Sequence, residues 1–329
     1  MSGFLVLLGA SFITFTLARI IPSDPILAYM GPKATAAEAA RLRAVLGLDQ
    51  PIPIQYVKYL SQTLHGNWGY SLSTKQSIVS EIANRLPATL ELIFFAISFA
   101  FLFGVVLGVL SARYRGKSLD SVIRFASIAG VSMPAFWLGL LLQLLFAGKL
   151  GIFPAAGQFD IDIKYDHPIK RITSFPLFDS LISGNLHAFG NGILHIFLPA
   201  VTLSAYSFGL IARMTRANML EVLGQDHIKV ARAYGLSEKL IFYKLALRYA
   251  VPPIITVTGL STAYLITGTF FVEQVYNWPG IGGFAVNSLL SIDYPAIMGI
   301  TLVAAIGYLV TNFIVDIIQS KVDPRVSIQ

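Results

Sequence analysis

Six stretches of this chain are apolar for about 18 residues or more, the length at which a helix can cross the hydrocarbon of a bilayer. They run roughly over residues 3–20, 88–112, 124–148, 192–213, 251–275 and 296–319. Lipid offers no partner for backbone N–H and C=O groups, so such runs fold as helices. The reading is therefore an all-α, multi-pass membrane protein with about six transmembrane helices. Charge agrees: 12% of the 329 residues are charged, about half the share of a soluble domain, and 55% are hydrophobic. The first run lacks a basic flank and is followed by no small-residue cleavage site, so it reads as a retained span rather than a signal peptide.

Orientation follows from the short loops. Arg113, Arg115, Lys117 and Arg124 lie between the second and third runs. Arg213, Arg216, Lys229, Arg232, Lys239, Lys244 and Arg248 lie between the fourth and fifth, and Lys321 and Arg325 in the tail. These hold 13 of the 24 basic residues, whereas the loop 276–295 has none. Both termini are thus expected in the cytoplasm. On the other side, "TAAEAARLRAVLGL" pairs Thr35 with Glu38 in capping-box spacing and ends at Gly47, which predicts a short outer helix. "FDIDIKY" (159–165) alternates apolar and polar residues, which predicts a strand in a small extracytoplasmic elaboration over about 150–190. Asp160, Asp162 and Asp166 share the spacing of a calcium loop. Lys164 and Tyr165 stand where that loop needs an oxygen ligand and a glycine, so a solvated face is the better account.

Several function classes drop out. The chain has no cysteine, which excludes disulfides and thiolate sites. No nucleic-acid-binding module is present. "RGKS" (115–118) lacks the upstream glycine of a phosphate loop, Ser111 standing in its place, and no H-E-x-x-H or G-x-S-x-G occurs. The spans are almost free of ionisable residues. Glu91, His195, Glu273 and Asp316 fall near span ends and read as interfacial groups rather than a proton relay. No metal, cofactor or catalytic residue is expected on this chain, and energy for uphill transport would come from elsewhere. Gly104 and Gly108 form a G-x-x-x-G, read as close helix packing. Pro134, Pro199, Pro252 and Pro253 sit within or at the start of spans and predict kinks.

The segment "DHIKVARAYGLSEKLIFYKLALRYAVPP" (226–253) is basic between two apolar runs. It divides into two short helices. The first starts at Asp226 and ends at Gly235 in a left-handed cap, and Ser237 caps the second. Ile228, Ala231 and Gly235 fall on one side of the first. A shallow, small-residue face suits a groove on another protein; a basic loop on anionic headgroups is the alternative.

Here a family resemblance enters. "ARMTRANMLEVLGQDHIKVARAYGLSEKLIFYKLALRYAVPPIITVTGL" resembles the cytoplasmic EAA loop of ABC importer permeases, and more closely the dipeptide/oligopeptide/nickel group. Lys229 departs from the usual Glu of that loop, and Ala246-Leu247-Arg248 from a common Leu-Pro. "IPSDP" (21–25), "LGLDQPIPIQYVKYL" (46–60), "HGNWGYSL" (65–72), "PATLEL" (87–92), "SMPAFWLG" (132–139), "VEQVYNWPGIGG" (272–283), "DYPAIMG" (293–299) and "DPRV" (323–326) are similar to family segments in the same order.

The resemblance implies a type I ABC importer permease fold. Residues 1–87 would hold the first transmembrane helix and an extracytoplasmic segment. Residues 88–329 would form the permease domain, with the EAA loop at about 221–250. It implies a place in the inner or plasma membrane of a prokaryote, beside a second homologous permease chain. Two ATP-binding subunits would use ATP and Mg, and an extracytoplasmic binding protein would deliver a di- or oligopeptide. Nickel complexes, glutathione and oligosaccharides are alternative cargoes. Lys229, Ala231, Arg232, Ala233, Gly235, Leu236 and Lys239 would dock on the ATPase, with Arg232 and Lys239 pairing with its acidic rim. From span position alone, Ser204, Ser207, Thr258, Ser261 and Thr262 are candidate path residues. A secondary transporter would instead need mid-span acids or inverted repeats, and an intramembrane enzyme a nucleophile–base set.

Overall fold

A computed structural model of the chain describes residues 2–20, 35–46 and 49–322. In order, the helices are α1 (Ser2–Ile20), α2 (Ala36–Leu46), α3 (Ile52–Leu64), α4 (Ile78–Arg113), α5 (Ser118–Ser132), α6 (Ala135–Leu142) and α7 (Ile161–Tyr165). There follow α8 (Pro176–Ile182), α9 (Leu186–Leu223), α10 (Asp226–Ala233), α11 (Glu238–Leu240), α12 (Leu247–Val275), α13 (Ile281–Leu290) and α14 (Tyr294–Val322). Two π-helical turns, Gln143–Lys149 and Ile241–Ala246, extend α6 and join α11 to α12. Among the described residues the only β pairing is a lone antiparallel bridge, Tyr70 to Ser77. The Gly47 end of the outer helix, "IPSDP", Arg325 and "DPRV" lie outside the described residues.

Four helical runs among the described residues are long and apolar enough to cross a membrane: α4, α9, Glu238–Ile266 and Tyr294–Lys321. The third expected span is a pair of helices, α5 and the α6 run to Lys149, bent by 115°. Counted as one crossing it makes a fifth. Pro134 causes the break: its ring disfavours helical geometry at the preceding residue, and Met133 is extended at φ −82°, ψ 133°. The first apolar run is α1, 19 residues from Ser2 to Ile20. Pro87, Pro199, Pro252 and Pro253 are carried inside helices that continue through them.

The described residues form two compact units. The first joins residues 1–88 to 279–307. In it the expected capping box closes at the start of α2: the Glu38 N–H donates to Thr35 Oγ1 (3.3 Å) and the Thr35 N–H to Glu38 Oε2 (3.1 Å). Buried Phe15 of α1 stacks on Tyr59 of α3 at 5.6 Å. Asp293, fully buried before α14, accepts from Ser71 Oγ (2.6 Å), Ser73 N (3.1 Å) and Ser73 Oγ (3.0 Å). It also caps Ala296 N at 3.2 Å.

The second unit joins residues 89–278 to 308–329, with α9 as its spine against α5, α6, α8 and α12. Gly104 and Gly108 serve the close packing expected of them. A Cβ on Gly108 would stand 2.8 Å from the Ala212 carbonyl oxygen of α9. Residues 159–165 are not a strand. They form the single-turn α7, with Ile163 buried and Ile161 exposed. A strand needs a ladder partner and none stands beside this segment, while Asp160 and Asp162 at the start favour a helical turn.

Candidate functional site

The segment linking α9 to α12 is built around one apolar anchor. Ile228 of α10 is fully buried in a cluster with Val109 and Ala112 of α4, Met219 and Val222 of α9, and Ile241 and Ala246 of the π turn. Leu236 packs against the same cluster. The sequence reading put Ile228 on an outward face with Ala231 and Gly235; the structure turns it inward. Spacing shows which residues share a helix side, not which side meets the core, and in α10 the inward side is the one with the largest aliphatic group.

The turn after α10 matches its sequence. Gly235 has φ +78°, the left-handed region that favours glycine. The Gly235 N–H donates to Arg232 O (2.9 Å) and the Leu236 N–H to Ala231 O (3.2 Å). That pair of bonds is a Schellman motif and satisfies the last carbonyls of α10. Ser237 Oγ accepts from Leu240 N at 3.4 Å, as expected of a cap. With Ile228 inward, α10 presents Lys229, Val230, Arg232, Ala233 and Tyr234 outward, and Tyr234 is 82% exposed. Ala231 is half-buried, and Gly235 and Lys239 are exposed.

Arg232 does not stand as a free cation. Its guanidinium makes a two-point pair with Glu238 of the same loop, Nε to Oε1 at 2.7 Å and Nη2 to Oε2 at 3.3 Å. That carboxylate raises the Arg232 pKa. Lys229 Nζ donates to Asp226 Oδ1 at 2.8 Å. Both pairs are solvent-exposed.

Beneath the loop lies a polar clamp that sequence reasoning missed. Asp120 of α5 is buried and accepts from Arg216 of α9 through Nε (2.8 Å) and Nη2 (2.9 Å). Ser111 Oγ and Gly116 N also donate to it. The clamp ties α4, α5 and α9 together ten residues before α10. Arg216 counted only as one more loop cation in the sequence.

At the other end of α9, Glu91 of α4 is fully buried and accepts from Leu177 N (2.9 Å), Phe178 N (3.2 Å) and Gln158 Nε2 (3.0 Å). It caps α8, whose own preceding residue, Phe175, cannot. Asp179 accepts from the N–H groups of Ile172, Thr173 and Ser174 and the Thr173 hydroxyl. Burial opposes its ionisation, but those donors win and hold the carboxyl below the usual carboxylate range. Glu273 accepts from Thr89 Oγ1 at 2.7 Å, and both ring nitrogens of His195 face acceptors, Gly157 O and Asp160 Oδ1. Glu91, His195 and Glu273 are therefore buried within the chain and hydrogen-bonded there. Asp316 is exposed.

The five hydroxyl residues expected on a path are scattered. Ser204 lines an apolar cavity of about 340 Å³ with Phe99, Phe103, Met133 and Phe208. The Ser204, Thr258 and Thr262 hydroxyls bond to their own helix backbones. Ser207 and Ser261 are buried, and among the described residues their hydroxyls have no bonding partner. Among the described residues no group of three potential ligands could hold a metal.

The segments that carry the family resemblance meet in pairs. Ser71 of "HGNWGYSL" bonds Asp293 of "DYPAIMG", and Thr89 of "PATLEL" bonds Glu273 of "VEQVYNWPGIGG". Tyr276 of that last segment donates to Gly139 O of "SMPAFWLG" at 3.1 Å. Comparison with known proteins gives the reason. The family described as binding-protein-dependent transport system inner membrane component matches residues 104–328, and the N-terminal part of the same component matches residues 1–93.

The chain belongs to this family.

This permease is 41% identical over 98% of its length, and 94% of the relative's, to the "Probable D,D-dipeptide transport system permease protein" of Escherichia coli (strain K12). It is 40% identical to the di/tripeptide transport system permease protein of Pseudomonas aeruginosa (strain UCBPP-PA14), over 97% of this chain and 94% of that one. To the oligopeptide transport system permease protein of Bacillus subtilis (strain 168) it is 36% identical, over 98% and 95%. Its fold is similar to a chain of the inward-facing MetNI methionine ABC transporter. The TM-score is 0.51 at 16% identity, over 74% of this chain and 97% of that chain. The protein is thus a multi-pass permease component of an ABC importer, a transport subunit rather than an enzyme.

Proposed function

We propose that this permease and a second, homologous permease chain form the path for a di- or oligopeptide handed over by an extracytoplasmic binding protein. The peptide class follows the names of relatives aligned over nearly the whole chain. Nickel complexes, glutathione and oligosaccharides are the other cargoes this family reading leaves open. Both termini face the cytoplasm in this reading, as the basic loops require. The division at residue 87 then separates an outer segment and first helix from the main transmembrane domain.

Two ATP-binding subunits, which would hold the ATP and Mg, dock on the loop 221–250 of each permease. The observation that carries this is the build of α10: one buried isoleucine fixes it, and small residues and cations are left outward. Ala233 and Gly235 allow close approach of a partner, Lys229 and Lys239 supply charge, and Ala231 and Leu236 hold the turn in shape. Arg232 reaches an acidic rim only by leaving Glu238, an exposed pair worth about 0–1 kcal/mol, so the exchange is inexpensive. Closure of the ATPases would move α10 and, through the Asp120–Arg216 clamp, α5 with α9, giving rigid-body alternating access. Ser204, Ser207, Thr258, Ser261 and Thr262 are our candidates for polar points along the path.

The test is mild-detergent purification of the tagged chain from native membranes, with mass spectrometry of the bound proteins. A second permease and ATP-binding subunits are expected. A lone chain or homo-oligomer, unchanged by nucleotide analogues, would move a secondary transporter to the front. In the intact complex, Ala233→Phe fills exposed space and leaves the fold untouched. It should uncouple ATP use from uptake, as should Gly235→Asp; normal uptake in both would sink the docking claim.

A further inference from the structure

The turn between α4 and α5 carries more positive charge than its surroundings can neutralise. Lys117 N donates to Tyr114 O (2.9 Å), and Gly116 sits at φ +77°, so residues 114–117 reverse direction tightly. The turn gathers cations about one ring. Arg113 Cζ and Lys117 Nζ each lie 5.6 Å from the Tyr114 ring centroid. Arg115 is exposed between them. The nearby carboxylate, Asp120, is buried and taken up by Arg216. Arg115, Lys117 and Arg124 make no ion pair within the described residues.

Arg124 sharpens the point. It lies six residues past the start of α5, about 9 Å further along the helix axis. Its neighbours on the exposed side are Val122, Phe125 and Ile128, and Phe125 is 75% exposed. The buried side holds Asp120, Ile123 and Ser127. Arg124 therefore stands beside an apolar, outward helix face and makes no ion pair within the described residues; Asp120, one turn before it, is taken up by Arg216. An unpaired charge at such depth is unfavourable unless it reaches an anion by extending along the helix. The exposed apolar face below and the cationic turn above match the two halves of a phospholipid.

We propose that Arg115, Lys117 and Arg124, steadied by Arg113 and Tyr114, form a binding site for the phosphate headgroup of an anionic phospholipid, whose acyl chains lie along Val122, Phe125 and Ile128. This rests on the membrane reading above but not on the peptide cargo or the ATPase contact. A second copy of this chain fits less well, because a two-fold contact at the same surface would set these cations against one another. The headgroup of an anionic leaflet complements them.

The experiment places the permease, with whatever subunits co-purify, in nanodiscs of phosphatidylglycerol and phosphatidylcholine in equal parts. Native mass spectrometry then counts retained lipid. The wild type should keep phosphatidylglycerol in preference, and Arg124→Gln should lower that retention about fivefold. The R115Q/K117Q/R124Q variant should abolish the preference, while R115K/R124K keeps it. If the triple variant does not fold, the single Arg124→Gln decides. No preference in the wild type, or equal retention in Arg124→Gln, overturns the site. Loss of an ATP-binding subunit with lipid retention unchanged would also overturn it, assigning the cations to a protein partner. The importer reading is scored separately, by which subunits co-purify.

Discussion

Helix α9 leaves one attached segment and enters another, and the two are fastened differently. Before it, residues 157–185 are held by carboxylates. Glu91 grips the start of α8, Asp179 gathers three backbone N–H groups, and Asp160 meets His195 and Asn191. After it, α10 is held by Ile228 in an apolar pocket, while the charged pairs of that loop lie in solvent. Directed bonds fix a segment in one geometry. An apolar plug fixes position but tolerates small rotations, because dispersion contacts are not directional. The segment before α9 is therefore held in one geometry, whereas α10 has room for small rotations about its anchor.

The largest effect expected of that difference is at the plug. Ile228→Ala should destabilise the second unit by roughly 2–5 kcal/mol through transfer and cavity terms. Hydrogen exchange should show α10 and the Gly235 turn opening while residues 170–185 stay protected. Opening of both segments together would erase the distinction.

A smaller effect is expected at the outer clasp. Asp179→Ala strands the N–H groups of Ile172, Thr173 and Ser174, at about 1–3 kcal/mol for the buried share. It should loosen residues 170–183 and leave α10 alone. The same clasp carries a pH signature. Its folded-state pKa is depressed, so its contribution is full above the unfolded carboxylate value of about 3.9 and is lost as pH falls through the folded value. Limited proteolysis below about pH 4 should cut the outer segment first, with α10 still docked. The smallest effect is at the exposed pair. Arg232→Gln should change stability by about 0–1 kcal/mol and less at high salt. A greater loss would mean the loop is held by charge after all.

The apolar runs were legible because length and hydropathy alone require helices in lipid. The Gly235 turn, the Ser237 cap and the Thr35–Glu38 box were legible because their signals are local. The break at Pro134 was present in the sequence as a kink, but its size, a 115° bend, depends on what α5 and α6 pack against. The strand expected at 159–165 failed because alternation over seven residues does not supply a partner. The bonds of Glu91, Asp120 and Asp293 escaped the sequence for a related reason. Glu91 meets Leu177, Asp120 meets Arg216 and Asp293 meets Ser71, partners far apart in the chain that no spacing rule connects. The resemblance pointed to the segments that meet, but not to the bonds they make.

In the proposed importer, α10 would be the contact with an ATP-binding subunit. The chain contains no cysteine, so Ala233→Cys places one thiol on the exposed side of α10 in the intact complex. Crosslinking in native membranes, followed by mass spectrometry of the adduct, reads what that thiol touches. The expected result is an adduct with an ATP-binding subunit whose yield changes when a nucleotide analogue is added. An adduct with this chain alone, or none while the complex remains assembled, would contradict it.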